Sequence, residues 1–361
     1  MMAPKASMNR TVIRMTDAES VDAGTGRRMP TMSDVASRAG VSRQLASLVL
    51  RGEPGPSEDS RQRVLDAAAE LHYQPNASAR LLRQPRTNLI GAMFHTLNAF
   101  EVRVVELLLD RAAEHGLGVV LAPITATRTT EVAIAQLLEQ RVEAIACYNP
   151  DPASPTFQRA LDLLPVVWMG ERSSDPRADV VRTDDTAGLR TLVEHLTGLG
   201  HRRIAYAGGL GGAAGTGRAQ AYREAMTAAG LVDRIDVIPV AFDEEDGADA
   251  ARILLDRVAM PTAVICCSDH CATGLFATLM RAGVSVPDEV SVTGYDDSNI
   301  ASLSYIQLTT VHQDVELTVS ATVGAILRRL TETDATPREV ATPAPLVIRS
   351  TTGPARSDDE R

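Results

Sequence analysis

The sequence predicts an N-terminal all-α head carrying a helix-turn-helix, followed by an α/β body of two doubly wound parallel-sheet lobes. Three observations carry that prediction. The stretch from Thr31 to Thr87 holds three short helical patterns, with a tight turn, Ala39-Gly40-Val41-Ser42, between the first two. From Asn88 onward, strand-like apolar runs alternate with amphipathic helical patterns. Charge divides along the same line. The chain carries a net −10, yet Thr31 to Arg86 has eight arginines against six acids, a local +2 that leaves −12 elsewhere. A small basic head on an acidic body suits a local contact with DNA, not a general coating of nucleic acid.

Residues 1–30 are rich in Met, Thr and Gly without periodicity and read as a disordered extension, with Met29 or Met32 as alternative starts. The head spans 31–76. Thr31 is placed to cap a helix from Met32 to about Ala39, with Asp34 at its positive end. Gly40 suits the turn, where a left-handed backbone costs glycine little. Ser42 caps a second helix to about Leu50, which Gly52, Pro54, Gly55 and Pro56 break. Ser57 caps a third, to about His72, with Val64, Leu65, Ala68 and Leu71 at helical spacing. Pro75 closes the head. Residues 77–87 form a hinge segment, in which Ala77–Arg83 is too short to hold a helix alone in water.

The body spans 88–351. Strand-like runs fall at Leu89–Phe94, Gly118–Ala122, Ala144–Cys147, Val166–Met169, Ile204–Ala207, Val237–Val240, Ala263–Cys267 and Val290–Thr293. Helical patterns between them include Val102–His115, Thr130–Gln140, Thr186–Gly198 and Arg218–Ala229. So many strands suit two lobes better than one sheet, with the chain crossing between lobes near 185–195 and 311–340. Ligands in such folds bind at the carboxyl ends of the strands. Residues 352–361 read as a short polar disordered tail with no heptad repeat.

Several function classes are disfavoured. No apolar run approaches the roughly 18–20 residues of a membrane helix, and residues 1–30 lack the hydrophobic region of a signal peptide. Cys147, Cys266, Cys267 and Cys271 match neither a disulfide framework nor a zinc site, which points to a reducing cytoplasm. The vicinal Cys266-Cys267 sits in an apolar run, where inert buried thiols are commoner than redox sensors. The seven histidines show no metal spacing, and no Ser–His–Asp arrangement is evident. Gly209-Leu210-Gly211-Gly212-Ala213-Ala214 follows a strand and matches a dinucleotide fingerprint. No strand about twenty residues later ends in an acid, since Asp236 precedes its strand, so this stretch reads as a flexible Gly-rich loop. The expectation is no catalytic residue, no metal and no cofactor.

In order along the chain stand Asp34-Val35-Ala36, Ala39-Gly40-Val41-Ser42, Tyr73-Gln74-Pro75-Asn76 and Ala79-Arg80-x-Leu82. The body adds Thr183-Asp184-Asp185, Gly200-His201-Arg202-Arg203-Ile204, Arg218-x-x-Ala221-Tyr222 and Ser268-Asp269. Near the end come Gly294-Tyr295-Asp296-Asp297, Leu308-Thr309-Thr310-Val311 and Leu346-Val347-Ile348-Arg349-Ser350-Thr351. Each is weak alone; in this order they make a specific signal, and the chain from Thr31 to Thr351 resembles the lactose/galactose repressor family of bacterial regulators. The resemblance implies a periplasmic-binding-protein-like body. It also implies a homodimer that binds a pseudo-palindromic double-stranded operator under control of a small, sugar-like effector. The chain departs from the family in Ser42-Arg43-Gln44-Leu45-Ala46-Ser47-Leu48, where Leu48 replaces the usual Arg, in Leu50-Arg51 for a common Leu-Asn, and in Ser268 for Asn. These changes fall on the usual operator and sugar-hydroxyl contacts and leave the architecture intact.

The residue types suit those roles. Arg43 can bridge guanine O6/N7 and Gln44 adenine N6/N7 from the start of a recognition helix, with Ser42 and Ser47 on phosphates. The resemblance adds Thr31, Arg51, Asn76 and Ala79 to the DNA-facing set, Leu82 as a minor-groove wedge, and Arg80 and Arg83 on phosphate or groove. The alternatives are a plain helical surface and a plain linker. The family's effector contacts fall on Asn98, Phe100, Asp184, Arg218, Phe242, Ser268, Asp269, Asp296 and Gln313. Convergent charged and polar groups with an aromatic platform suit a polyol. Capping, packing or turn roles are the alternative for Asn98, Asp184, Phe242 and Ser268, and a helix cap for Asp269. Two rivals use the same body fold: a solute-binding protein, disfavoured by the head, and a nucleotide-cofactor enzyme, disfavoured by the missing acid.

Overall fold

The computed structural model describes residues 30–73, 86–171, 173, 175–332 and 335–356. They form two units, divided between Pro85 and Arg86. The first holds helices α1 (Met32–Ala39), α2 (Arg43–Leu50) and α3 (Glu58–Glu70). Each starts on a side-chain cap. Thr31 and Asp34 form a reciprocal capping box, Ser42 accepts from the Leu45 N–H, and Ser57 from the Ser60 N–H. Gly40 ends α1 in the left-handed region, at φ +66°. Val35, Ala36, Ala39, Ala46, Val49, Val64, Ala67 and Ala68 form the core of this unit. Small side chains there let the three helices approach closely. Full burial of a valine such as Val64 contributes about 1.5–3 kcal/mol.

The second unit contains two six-stranded sheets. The first uses β1 (Leu89–His95), β2 (Gly118–Ile124), β3 (Ala144–Tyr148), β4 (Val166–Met169), β5 (Asp179–Thr183) and, much later in the chain, β11 (Glu339–Thr342). Its order is β11-β5-β4-β3-β1-β2, all parallel. The second uses β6 (Ile204–Ala207), β7 (Asp236–Ile238), β8 (Ala263–Cys266), β9 (Ser291–Asp296), β10 (Thr309–His312) and β12 (Leu346–Val347). Its order is β12-β10-β9-β8-β6-β7, parallel except for β12 against β10. β3, β4, β6, β8 and β9 are buried at every position, and in the first four this is why the sequences run apolar without alternation.

Helices flank both sheets. α4 (Ala99–Glu114), α5 (Thr130–Glu139), α6 (Pro155–Leu163) and α11 (Val315–Thr331) belong to the first lobe; α7 (Asp185–Gly198), α8 (Gly212–Ala228), α9 (Glu244–Leu255) and α10 (Asp269–Arg281) belong to the second. The chain passes between the sheets three times: after Thr183, between His312 and Val315, and between Thr342 and Leu346. The first passage comes just ahead of the expected 185–195, since α7 lies wholly in the second lobe; the second falls within the expected 311–340, and the return from β11 adds a third. The second lobe has one feature set by glycine alone. A Cβ on Gly247 of α9 would collide with the Cys271 carbonyl of α10, and one on Gly274 of α10 with the Glu244 carbonyl of α9. The two helices cross backbone against backbone, which places the starts of both at one end of the sheet.

The structure differs from the sequence expectation at two places in the second lobe. The Gly-rich stretch is not a flexible loop throughout, because α8 begins at Gly212. Gly211, at φ +86°, turns the chain, and a side chain there would meet the Phe242 ring. Asp236 is the first residue of β7, not a residue before it, and pairs with Arg257.

Candidate functional site

In the head, Ser42, Arg43 and Gln44 are exposed on the first turn of α2. Ser42 uses its oxygen as the helix cap, so Arg43 and Gln44 are the long side chains presented there. Ser47 and Arg51 sit one turn apart at the other end and bond to each other at 2.5 Å, with Arg51 also held by Glu53 at 2.6 Å. Thr31 is engaged with Asp34 at 2.7 Å. Asn76, Ala79, Arg80, Leu82 and Arg83 lie outside the described residues.

In the body, a cavity of about 1170 Å³ opens between the two lobes at the carboxyl ends of their strands. Of the nine residues expected there, Asn98, Phe100, Arg218, Phe242, Ser268, Asp296 and Gln313 line it. Asp184 and Asp269 do not. Asp184 caps α7 through the Ala187 N–H at 3.2 Å. Asp269 is fully buried and is the first residue of α10 rather than its cap. It accepts from the Thr310 hydroxyl at 2.5 Å and the Ser298 N–H at 2.6 Å. Ser268 is the cap, and its hydroxyl donates to the Phe242 carbonyl at 2.6 Å. Asn98 caps α4. Lining residues thus double as helix caps, because a capping residue stands where strand gives way to helix, at the mouth of the fold.

Arg218 organises the second-lobe wall. Its guanidinium donates to the Cys267 carbonyl at 2.7 Å and to Asp185 at 3.3 Å, lies 3.5 Å from Asp296, and stacks 3.9 Å over the Tyr295 ring. Phe242 stands 6.0 Å away on another side. Burial works to discharge Arg218, but Asp185 and Asp296 outweigh it and raise its pKa. Burial pushes Asp296 upward, and Arg218 and the Gln313 amide restrain the shift. Gln313 donates to Asp296 at 2.5 Å and accepts from Thr183 at 2.7 Å, so two hydrogen bonds and an ion pair join the first-lobe strand β5 to Arg218 in the second lobe. Asp296 itself has φ +117°, a strained value for a residue other than glycine, held by these partners.

Much of the first-lobe wall carries no signal in the sequence. His95 and the buried Glu101 pair at 3.1 Å, and Glu101 also accepts from the His95 N–H. Tyr148 packs edge-on against Phe100 with ring centroids 6.3 Å apart. Arg128, Asn149 and Glu171 also line that wall. Burial pushes the Glu171 carboxyl up to about 7. A folded-state value raised from the usual ~4.3 gives stability that is complete below that value and lost as pH rises through 7. The melting temperature of the body is expected to fall between pH 5 and 8, and Glu171→Gln to flatten that slope in scanning calorimetry. An unchanged slope would mean that Glu171 does not titrate in this range in the folded body.

The same order of head and body is found in characterised proteins. Residues 31–76 match the model for bacterial regulatory proteins of the lacI family, and residues 193–352 the periplasmic binding protein-like domain. The HTH-type transcriptional regulator CelR of Thermobifida fusca is 32% identical over 90% of this chain and 98% of its own length. The chain belongs to the lacI family. The ribose operon repressor of Escherichia coli (strain K12) is 30% identical, over 84% of this chain and 94% of the repressor. Among solved structures, the lac repressor dimer bound to operator and the anti-inducer ONPF superposes with a TM-score of 0.78 at 27% identity, over 90% of this chain and all of that one. The complex of the regulator CelR with cellobiose gives 0.66 at 29% identity, over 89% and 99%. This lacI-family chain therefore has its family's two-lobed body, and no helix among its described residues is long and apolar enough to cross a membrane.

Proposed function

We propose that this protein is a dimeric transcription regulator, most simply a repressor, that binds a pseudo-palindromic operator and changes its operator affinity when a small molecule occupies the cleft. One observation carries the reading: a helix-turn-helix with Arg43 and Gln44 exposed at the start of α2 shares a chain with a ligand-sized cleft between two lobes. The relatives support it, since the lac repressor is seen as a dimer on operator DNA and CelR with a sugar in complex. DNA and effector must then influence each other reciprocally, because both act on one equilibrium between lobe arrangements. Such a regulator works without catalysis and belongs in the cytoplasm with the chromosome.

Arg43 and Gln44 are the proposed base readers, and the hinge residues Ala79, Arg80, Leu82 and Arg83 the proposed minor-groove contacts. Ser42, Thr31, Ser47 and Arg51 already make intramolecular bonds, so phosphate contact would add to a structural role. Gln44→Ala is expected to relax base preference at one position of each half-site, at about 1–3 kcal/mol per lost bidentate contact. Selection of bound sites from a randomised pool, with the two proteins in parallel, reads this directly. Identical selected sites would refute Gln44 as a reader.

A further inference from the structure

Glu143 gathers the segment on which the chain enters the body. Arg86 donates to its Oε2 from Nε at 3.1 Å and from Nη2 at 2.9 Å. The Thr87 and Asn88 N–H groups donate to its Oε1 at 2.5 and 3.1 Å. The Thr87 hydroxyl donates to the Arg141 carbonyl at 2.8 Å, and the Gly118 N–H to the Asn88 carbonyl at 2.8 Å. Three consecutive residues are thus held from both sides, by the start of β2 and by the approach to β3. All three precede the strand ladder, which begins at Leu89. Asn88 turns the chain into β1 at φ +53°.

The bonds differ in worth. Arg86 is half exposed, and an ion pair in that setting contributes little. Glu143 is 15% exposed and Thr87 8%, and a carboxylate that accepts two backbone N–H groups there makes the stronger, charge-assisted kind of bond. Burial pushes the Glu143 carboxyl up, but Arg86 and the two N–H groups outweigh it and hold it below its ordinary value. The anchor is rigid as well, because β1 and β3 are parallel neighbours, buried along their length apart from the two ends of β1.

We infer that Glu143 is a positioning residue for operator binding: it fixes the point at which each head is tethered to its body, and so the half-site spacing that a dimer accepts. The inference rests on the dimeric, operator-binding reading above. Residues 74–85 lie between the last described residue of the head and Arg86. An extended residue spans at most about 3.3–3.6 Å, and successive base pairs rise about 3.4 Å. Freeing Arg86, Thr87 and Asn88 lengthens each tether by up to about 10 Å, roughly the rise of three base pairs. A clamped tether holds two heads to one separation; a lengthened one lets them follow half-sites that have moved apart. Base preference within a half-site is untouched, because Glu143 belongs to the body.

The test takes the operator that the full chain selects from a randomised pool and remakes it with its half-sites one and two base pairs farther apart. The parent is expected to bind the widened sites at least about tenfold more weakly than the selected one. In Glu143→Ala that ratio is expected to fall to about threefold or less, with the same half-site sequence selected. Thr87→Val, which removes the hydroxyl bond to Arg141 and keeps the buried volume, is the second variant and is expected to narrow the ratio in the same direction. Hydrogen exchange gives a measure without DNA: the Thr87 and Asn88 amides are expected to be protected in the parent and to exchange at least about tenfold faster in Glu143→Ala. A residue that merely stabilises the body would lower the melting temperature and weaken every site alike, leaving the ratio where it was. The inference is overturned when both variants keep the parent's ratio, when the parent itself is indifferent to spacing, or when its amides at 87 and 88 exchange freely. A parent that selects single half-sites without two-fold repetition would refute the dimeric reading, and the spacing role with it.

Discussion

Arg218→Met is expected to destabilise the body by about 3–5 kcal/mol, the usual result of removing one partner from a buried charge cluster. In a unit of this size that is a drop in melting temperature on the order of 10 °C. Methionine nearly conserves the apolar volume, so the loss reports charge and not a cavity. Asp296 would be left buried with its cation gone, and the half-buried Asp185 would keep the Tyr295 hydroxyl at 2.5 Å. The buried Asp296 carboxyl, already pushed upward by burial and restrained by Arg218, would then favour protonation further, so the deficit is expected to shrink as pH falls from 8 to 5. Asp185→Asn in the Arg218→Met background should recover part of the loss, because the two sites are coupled. Calorimetry of the single and double variants measures this. A single variant that melts like the parent, or a double variant no better than the single, would mean that Arg218 does not hold the cluster together.

Gly274→Ala is expected to cost about 2 kcal/mol net, or roughly 4–8 °C. Two effects compete. Alanine improves helix propensity by about 1 kcal/mol over glycine. Against that, its methyl would enter the Glu244 carbonyl of the facing helix, and neither backbone can step aside without moving a helix. Overpacking of this kind typically costs 1–3 kcal/mol, and two rigid backbones place it at the upper end. Gly247 faces Cys271 in the same way, so Gly247→Ala is expected to behave alike. The cleft should feel the change too, since His270 and Glu244, 2.5 Å apart, sit on the two helices at its edge. A Gly274→Ala protein more stable than the parent would show that the helices separate at little cost.

What was legible in the sequence was what local chemistry decides. Thr31, Ser42 and Ser57 announce helix starts because a capping oxygen needs only the next turn. The buried central strands announce themselves by continuous apolar runs. β5 and β10 to β12 were not seen: Asp179-Val-Val-Arg-Thr, Thr309-Thr-Val-His, Glu339-Val-Ala-Thr and Leu346-Val are short or polar, and they are strands only because distant segments pair with them. The same limit applies to the cleft. Arg218 and Asp296 were visible through the family motifs. Asp184 and Asp269, in similar motifs, serve the scaffold instead, because an acid at a helix start can face inward or outward. Tyr148, Asn149 and Arg128 carry no local mark; a tyrosine ending an apolar run looks like core until the lobes bring it opposite Asp296. Gly212 misled for a related reason, since glycine signals a loop by propensity, and tertiary packing made it a helix start.

Occupancy of the cleft is expected to set the affinity of the head for its operator. It is tested most directly by measuring the operator Kd of the full chain, on the promoter region of its own gene, with and without a saturating cleft ligand at fixed salt. The operator Kd is expected to change at least fivefold in either direction, with the same factor appearing in the ligand Kd when operator is present. Equal operator affinity in the two states, for a ligand that calorimetry shows to be bound and that Asp296→Asn no longer binds, would contradict it.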